Sequence, residues 1–299
     1  MKVKISLVVV MVSLVAAACA FADGYNLVAW PLIVADNSAQ AVFADSMGNG
    51  CQITGGYPAG VSDQIKFWDG TAWYTAWYKV GGPGGSYVWK GTLHAGEVAG
   101  DPQVLADDGY WIIIRSTHPA VTLTMTGSVN TVNRIITINP GLSYNFVGSA
   151  WATPRALSGS SGDDCNLIGS GFTGGYPAGA SDQFKFFDGT SWYTAWYKVG
   201  GPGASNIWKG KLSATQTLDD PYLDPGNGYI LIVQAGHAFI ANTWTFPPPP
   251  PAKAAGTELS TKTRAMQKRE VSKNLRRARG PSTNQRLVPE KEAEVKQDR

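Results

Sequence analysis

Residues Thr54 to Gly91 read TGGYPAGVSDQIKFWDGTAWYTAWYKVGGPGGSYVWKG, and the chain repeats this stretch at Thr173 to Gly210 as TGGYPAGASDQFKFFDGTSWYTAWYKVGGPGASNIWKG. The two copies are identical at 31 of 38 positions, with a constant offset of 119 residues. The same offset aligns His118 with His237. Such a unit is long enough to be a small domain, whereas solenoid repeats have about 20 to 50 residues. We therefore predict two tandem repeats, 23–130 and 131–246, which either share one core or have one each.

Both copies have the composition of β-strands. Aromatic and β-branched residues form short runs, separated by clusters of Gly, Pro, Asn and Asp. In the first copy these runs are 25–32, 64–68, 71–80, 110–115 and 121–129. No segment between the N-terminal apolar run and residue 252 has a sustained helical period. The pattern predicts an all-β protein made of two tandem sandwich-like repeats.

The dipeptide Asp69-Gly70 separates two of these runs and predicts a two-residue hairpin turn that pairs Trp68 with Thr71. Because side chains alternate across a strand, the hairpin has two different faces. The apolar face is predicted to lie on the core and consists of Ile65, Phe67, Ala72, Tyr74, Ala76 and Tyr78, with Phe184, Phe186, Ser191, Tyr193, Ala195 and Tyr197 in the second copy. The opposite, mixed face carries Trp among hydrogen-bonding side chains.

A row of Trp side chains beside polar groups suits a sugar, whose apolar C–H face stacks on an indole while its hydroxyls form hydrogen bonds. The candidate glycan-binding residues on the mixed faces are Lys66, Trp68, Trp73, Trp77, Lys185, Phe187, Trp192 and Trp196. In the alternative interpretation, another layer of the protein covers these aromatic residues and they have only a structural role. Solvent exposure of Trp73, Trp77, Trp192 and Trp196 discriminates between the two.

The N-terminus has the features of a secretory signal peptide. Lys2 and Lys4 precede an apolar run, and Ala20-Phe21-Ala22 is a small-x-small cleavage pattern, so we expect cleavage after Ala22. The run is shorter than the about 20 residues of a transmembrane helix. A lipoprotein site at Cys19 is a second alternative, although Ala16 replaces the usual aliphatic residue. We expect an exported chain without a transmembrane segment, secreted, at the cell surface or in the periplasm.

The formal charge of +3 conceals a separation of charge along the chain. Residues 23–251 contain 10 basic and 16 acidic side chains, whereas residues 252–299 contain 13 basic and 6 acidic ones. An acidic body repels phosphate, which argues against a single basic nucleic-acid-binding domain. Pro247–Pro251 predicts a stiff spacer, and residues 252–299 lack the apolar side chains needed to fold. This tail is either an electrostatic arm for an anionic polymer, such as cell-surface polysaccharide, or a solvated linker.

Catalytic residue types are scarce in the acidic body. Residues 23–251 contain a single Glu and three His, and no nucleophile elbow, zinc-binding helix or phosphate loop occurs. Asp63 with Asp69 is the only recurring carboxylate pair that a glycosidase could use. We therefore expect a non-enzymatic protein without a cofactor.

Metal sites have equally weak support. The Asp pairs Asp107-Asp108, Asp163-Asp164 and Asp219-Asp220 could bind calcium, but none lies in a regular calcium loop, and solvated turns are the alternative. Cys51 and Cys165 do not align with each other, and they either form one disulfide or lie buried as small apolar residues.

Several short motifs resemble exported bacterial β-repeat proteins of uncharacterised function. They are Gly24-Tyr25-Asn26-Leu27-Val28 with Pro31, Ser62-Asp63-Gln64-Ile65 before an Asp-Gly turn, Gly109-Tyr110-Trp111-Ile112, and Gly127-Ser128-Val129. The second copy departs from them, with Ser143 in place of Gly24 and Ala150 in place of Pro31. The resemblance implies an extracytoplasmic β protein and no particular activity. Of two candidate functions, a structural or adhesive surface protein and a carbohydrate-binding module, the sequence favours the first.

Overall fold

The structure is a computed structural model that describes residues 17–21, 24–44, 51–141, 143–149, 151–158 and 164–248. For residues 17–21 it gives the strand and its pairing only. The predicted basic tail and most of the predicted signal peptide lie outside the described residues.

The protein is all-β, as the sequence predicts. The strands are β1 Ala17–Phe21, β2 Gly24–Ala29, β3 Gln64–Trp68, β4 Trp73–Lys79, β5 Val88–Thr92, β6 Gly109–Ile114, β7 Val121–Met125, β8 Arg134–Thr137, β9 Ser143–Gly148, β10 Arg155–Ala156, β11 Gln183–Phe187, β12 Trp192–Lys198, β13 Ile207–Lys211, β14 Tyr222–Leu223, β15 Gly228–Val233 and β16 Thr243–Phe246. One four-residue helix, α1 (Ala39–Val42), and three short 3₁₀ turns at Ala59–Val61, Ala178–Ala180 and Ile240–Asn242 accompany them in the described residues.

Two five-stranded antiparallel sheets dominate the fold. The first sheet has the order β2-β6-β3-β4-β5, and the second has the order β9-β15-β11-β12-β13. Each strand of the second sheet begins 119 residues after a strand of the first sheet, in the same spatial order. A two-stranded antiparallel ribbon accompanies each sheet, β1 with β7 and β8 with β16.

The turn between β3 and β4 differs from the predicted two-residue turn. Trp68 pairs with Trp73, so residues 69–72 form a four-residue turn. The Asp69 side chain explains this length, because its Oδ1 accepts hydrogen bonds from the backbone N–H groups of Thr71 (2.7 Å) and Ala72 (2.8 Å). The register therefore shifts by two residues. A shift of two leaves every side chain on its predicted face.

The apolar face of the hairpin lies on the core in both copies. Ile65, Phe67, Ala76 and Tyr78 are buried in the first sheet, whereas Ala72 and Tyr74 near the turn are half-buried. In the second sheet, Phe184, Phe186 and Ala195 are buried, Tyr193 and Tyr197 are half-buried, and Ser191 in the turn is exposed. Separate clusters of buried side chains lie against the two sheets. Cys51 lies at the margin of the first cluster and Cys165 is buried in the second.

The two sheets meet through equivalent contacts made in opposite directions. The N–H of Ala29 donates to the carbonyl of Gly226 (3.0 Å), and the N–H of Gly148 donates to the carbonyl of Asp107 (2.8 Å). Subtracting or adding 119 converts one contact into the other. The bridges Val28–Asn227 and Val147–Asp108 have the same relation. The junction is therefore isologous, like the interface of a two-fold symmetric dimer, and it orients the two mixed faces toward one another.

Candidate ligand-binding cleft

A cleft of about 430 Å³ opens between the mixed faces of the two sheets. Four of the predicted glycan-binding residues line it: Lys66 and Trp73 from the first sheet, and Phe187 and Trp192 from the second. Tyr25 on β2 and Trp111 on β6 complete the lining. The alternation of β3, β4, β11 and β12 places these side chains on the side opposite the core. The cleft therefore includes residues from both copies.

The walls of the cleft are aromatic rings in contact with one another. Trp111 lies in the centre, with its ring centroid 6.0 Å from that of Phe187 and 6.1 Å from that of Trp192. Its other neighbours include Tyr25 at 5.8 Å and Phe146 at 6.3 Å, both in edge-to-face geometry. Edge-to-face pairs leave some ring faces uncovered while each ring is held in place by its neighbours. The cleft is thus a preformed aromatic surface.

Trp73 and Trp192 are the two exposed indoles of the cleft. Each has 52% of its surface accessible, although each contacts another aromatic residue, Phe146 for Trp73 and Phe187 for Trp192. They are equivalent residues of the two copies, separated by 119 positions. No other layer of the described structure covers them. Of the four indoles whose exposure discriminates between the two interpretations of the mixed face, Trp73 and Trp192 are exposed, whereas Trp77 and Trp196 are half-buried.

The other four predicted site residues do not line the cleft. Trp68 packs against Trp73 with ring centroids 5.4 Å apart and lines a neighbouring cavity. Trp77 and Trp196 are half-buried further along β4 and β12, and Trp77 lies against Tyr57 at 6.4 Å. Lys185 is half-buried on β11. The mixed faces are therefore divided into an open cleft and a packed remainder.

The cleft is asymmetric although its frame is nearly symmetric. Trp111 has Ile230 as its counterpart in the second copy, and Phe187 has Trp68. Ile230 is buried, whereas Trp111 is half-buried and reaches the rings of the other sheet. At this position the first sheet therefore contributes an aromatic ring to the cleft, whereas the second sheet has a buried Ile. The aromatic lining is therefore not repeated by the near-symmetry of the frame.

Lys66 supplies the charge in the cleft lining. The other five lining residues are aromatic, and four of them have a polar tip in an indole N–H or a phenol hydroxyl. In the described part of the chain, no carboxylate lies within salt-bridge distance of the Lys66 amine. The arrangement can stack on the flat apolar face of a ligand and donate hydrogen bonds to its oxygen atoms.

Asp63, half of the recurring carboxylate pair, holds the backbone in place. Its fully buried carboxylate accepts hydrogen bonds from the N–H groups of Thr54 (2.8 Å) and Arg115 (2.9 Å), and it lies 2.7 Å from Nδ1 of His118. Asp182 makes the same three kinds of contact, with Thr173, Gln234 and His237. In the first copy the buried carboxylate connects the residue after β6 to the segment before β3. In the second copy it connects the residue after β15 to the segment before β11.

A second cavity of about 300 Å³ adjoins Trp68 and contains an ionic network around His94. Nδ1 of His94 lies 2.6 Å from Glu97 and Nε2 lies 2.9 Å from Asp108. Burial lowers the pKa of His94, but hydrogen bonds to Asp108 and Glu97 outweigh this and raise it above its ordinary value. Burial also raises the pKa of the Tyr110 hydroxyl, which donates to Asp108 at 3.3 Å.

The second copy has an equivalent network in which three of the ionisable residues are replaced by neutral ones. Ser213, Gln216 and Asn227 replace His94, Glu97 and Asp108. Gln216 Oε1 accepts the backbone N–H of Leu212 (2.8 Å), as Glu97 Oε2 accepts that of Leu93 (2.6 Å). The neutral network in the second copy accepts hydrogen bonds from the equivalent backbone groups. The ionic network in the first copy can therefore be explained by a structural role, without any chemical reaction at His94.

The Asp residues considered as calcium ligands have other partners. Asp107 forms a two-pronged ion pair with Arg134, and Asp219 pairs with Lys209 at 2.6 Å. Asp108 is held by His94. Asp163 lies outside the described residues. Protein cations therefore account for the carboxylates of Asp107 and Asp219, and a hydrogen bond to His94 accounts for that of Asp108.

Comparison with known proteins gave no assignment: no family model, no curated protein and no solved structure matches the chain. Among the described residues, no helix has the length and apolar character that crossing a bilayer requires.

Proposed function

We propose that this protein is an exported, non-enzymatic binding protein that attaches to carbohydrate through the aromatic cleft between its two sheets. The observation that carries the proposal is the exposure of Trp73 and Trp192 in a cleft that also contains Lys66. Exposed, rigidly held indoles beside a hydrogen-bond donor match the alternating apolar and hydroxylated surface of a sugar. The cleft volume falls within the about 300–1,000 Å³ range of small-molecule sites.

The size and shape of the cleft favour a short segment of a polysaccharide over a compact metabolite. The two indoles come from different sheets, so a ligand that spans the junction contacts both at once. The single ammonium group at Lys66 favours a sugar with a carboxylate or another acidic group. These features agree with a partner of the anionic cell-surface polysaccharide class.

The proposal unites the two functions that the sequence leaves open. A surface protein that adheres to a polysaccharide needs a binding face but no catalytic group. The recurring carboxylates support a non-enzymatic function, because Asp63 is buried behind backbone donors and Asp69 caps its turn. The signal-peptide pattern supports export. The intact mass of the chain recovered from a producing cell tests this, because cleavage after Ala22 removes residues 1–22.

Glycan-array binding of the full chain without its leader tests the proposal. The Trp73→Ala/Trp192→Ala double variant removes both exposed indoles and is expected to weaken retention of the preferred glycan by at least about tenfold. The matched control is Trp77→Ala/Trp196→Ala, which changes the same residue type on the same two strands outside the cleft.

Circular dichroism establishes that both double variants keep the β fold. Retention by the control equal to that of the unmodified chain, with loss in the cleft variant, supports the proposal. Equal retention by both double variants, or the absence of any retained glycan, contradicts it.

A further inference from the structure

The near two-fold frame gives the cleft a counterpart on the second sheet. An offset of 119 exchanges Trp73 and Trp192 with each other, so both exposed indoles belong to the cleft and to its counterpart. A ligand that extends past these two rings therefore meets the counterpart residues next. For the other cleft-lining residues of the first sheet the counterparts are Tyr144 for Tyr25, Lys185 for Lys66 and Ile230 for Trp111.

The outer end of the counterpart is as open as that of the cleft. Tyr144 has 51% of its surface accessible, close to the 54% of Tyr25. Tyr144 lies opposite Ile232 of β15, as Tyr25 lies opposite Ile113 of β6. The two Tyr side chains therefore occupy equivalent, exposed positions on the two sheets.

Lys185 gives the counterpart the same charge as the cleft. It lies opposite Ile230 of β15, as Lys66 lies opposite Trp111 of β6. In the part of the chain that the structure describes, no carboxylate lies within salt-bridge distance of the Lys185 amine. Each half therefore supplies one ammonium group that can pair with an acid group of a ligand.

The difference between Trp111 and Ile230 gives this surface a direction. A polysaccharide has two chemically different ends, so a surface with exact two-fold symmetry would bind it equally well in both directions. Trp111 is half-buried and lines the cleft, whereas Ile230 is buried. Because the ring of Trp111 lies on one side of the two exposed indoles, one direction of the ligand gains an additional stacking contact.

We propose that the cleft and its counterpart form one path, which binds a linear acidic polysaccharide across the junction in a single direction, with acid groups at Lys66 and Lys185. The path depends on the proposed carbohydrate function and narrows its ligand to a polymer in which the acid group recurs along the chain. A single acidic sugar pairs with one ammonium group, whereas such a polymer can pair with both. Once one half is occupied, the other half binds the same molecule at high effective concentration, which raises the affinity.

Galacturonate oligomers from the dimer to the octamer test the path by isothermal titration of the leaderless chain. The octamer is expected to bind at least about tenfold more tightly than the dimer. Lys185→Ala and Tyr144→Ala should each remove most of this gain and leave dimer binding unchanged, whereas Lys66→Ala should weaken the binding of both oligomers. Lys90→Ala is the matched control, because it removes an exposed lysine from β5 at the outer edge of the first sheet, and it should change neither affinity.

Two further measurements separate charge and direction from length. A carboxyl-reduced octamer has the same length without the charge and should bind at least about tenfold more weakly than the acidic octamer. A nitroxide at the reducing end of the acidic octamer should broaden the NMR signals of either Tyr25 or Tyr144 and leave those of the other sharp.

Four results overturn the path: a length gain that Lys185→Ala leaves intact, equal affinity of the reduced and the acidic octamer, equal broadening at Tyr25 and Tyr144, or retention of neutral glycans without any galacturonate. In each of these cases the carbohydrate function still stands if Trp73→Ala/Trp192→Ala weakens the binding that remains. Absence of binding to every glycan overturns both proposals.

Discussion

A methyl group added at Gly228 perturbs the junction that holds the two halves of the cleft together. Gly228 begins β15 and lies against β2 of the other sheet. A Cβ atom there would lie 2.9 Å from the carbonyl carbon of Val28 and nearer still to its oxygen, closer than real Cβ atoms approach backbone. The backbone of Gly228 does not have a positive φ, so the effect of Gly228→Ala is purely steric.

The expected loss of stability arises because the backbone must move to relieve this overlap. Relieving the overlap separates β15 from β2 and stretches the adjacent hydrogen bond from Ala29 to Gly226, now 3.0 Å long. Overpacking of this kind costs about 1–3 kcal/mol, and a weakened backbone hydrogen bond adds about 1 kcal/mol. We expect Gly228→Ala to lower the free energy of unfolding by about 2–4 kcal/mol. For a body of this size the melting temperature falls by about 4–16 °C.

Thermal unfolding followed by circular dichroism measures the effect, and Gly179→Ala is the matched control. A Cβ atom at Gly179 has no neighbour within 4 Å and its φ is not positive, so this variant should change stability by less than about 0.5 kcal/mol. Gly109→Ala, at the symmetry-related position, meets Val147 at 2.9 Å and should show a smaller loss than Gly228→Ala. A Gly228→Ala protein as stable as Gly179→Ala would refute the described junction.

Three further predictions concern the buried carboxylates, the ionic network and the cleft. Asp63→Ala leaves the N–H groups of Thr54 and Arg115 without their acceptor and should lower the free energy of unfolding, measured in urea, by about 3–5 kcal/mol. Asp182→Ala should have the same effect. A loss no larger than that of a substitution at an exposed position would contradict the buried role. The pKa of His94 is raised in the folded state, so its protonation stabilises the protein below its unfolded pKa of about 6.5, and this contribution disappears as pH rises through the folded value. The melting temperature should therefore fall more between about pH 6 and pH 9 in the unmodified chain than in His94→Gln, and parallel curves would contradict the network. Trp111→Ile gives the first copy the residue of the second and should weaken glycan binding by about tenfold or more without loss of the β fold, whereas unchanged binding would exclude a role for Trp111.

Local patterns were enough to predict the two faces of the hairpin. The alternation along β3 and β4 correctly assigns Ile65 and Phe67 to the core and Lys66 and Trp73 to the opposite face. The predicted register was wrong by two residues, because the Asp69 carboxylate stabilises a longer turn. The faces were still correct, since a two-residue shift preserves the direction of every side chain.

The features of the site that the sequence did not predict depend on contacts between residues far apart in the chain. Trp111 lies opposite Lys66 because β6 inserts between β2 and β3, and no local pattern records that order. The sequence identified Asp63 only as half of a recurring carboxylate pair, and its buried position, shared with Asp182, appears only in the structure. The meeting of the two mixed faces depends on Gly109 and Gly228 at the junction, whose close backbone contacts appear only in three dimensions.

The number of glycan molecules bound per chain tests most directly whether the two copies build one shared site. Isothermal titration of the leaderless chain with its preferred oligosaccharide measures this number and the affinity together. The asymmetric cleft, with Trp111 in the first copy and Ile230 at the equivalent position of the second, predicts one ligand per chain, bound more weakly when either Trp73 or Trp192 is replaced by Ala. Two equivalent ligands per chain, each lost with only one of these indoles, would contradict the shared cleft.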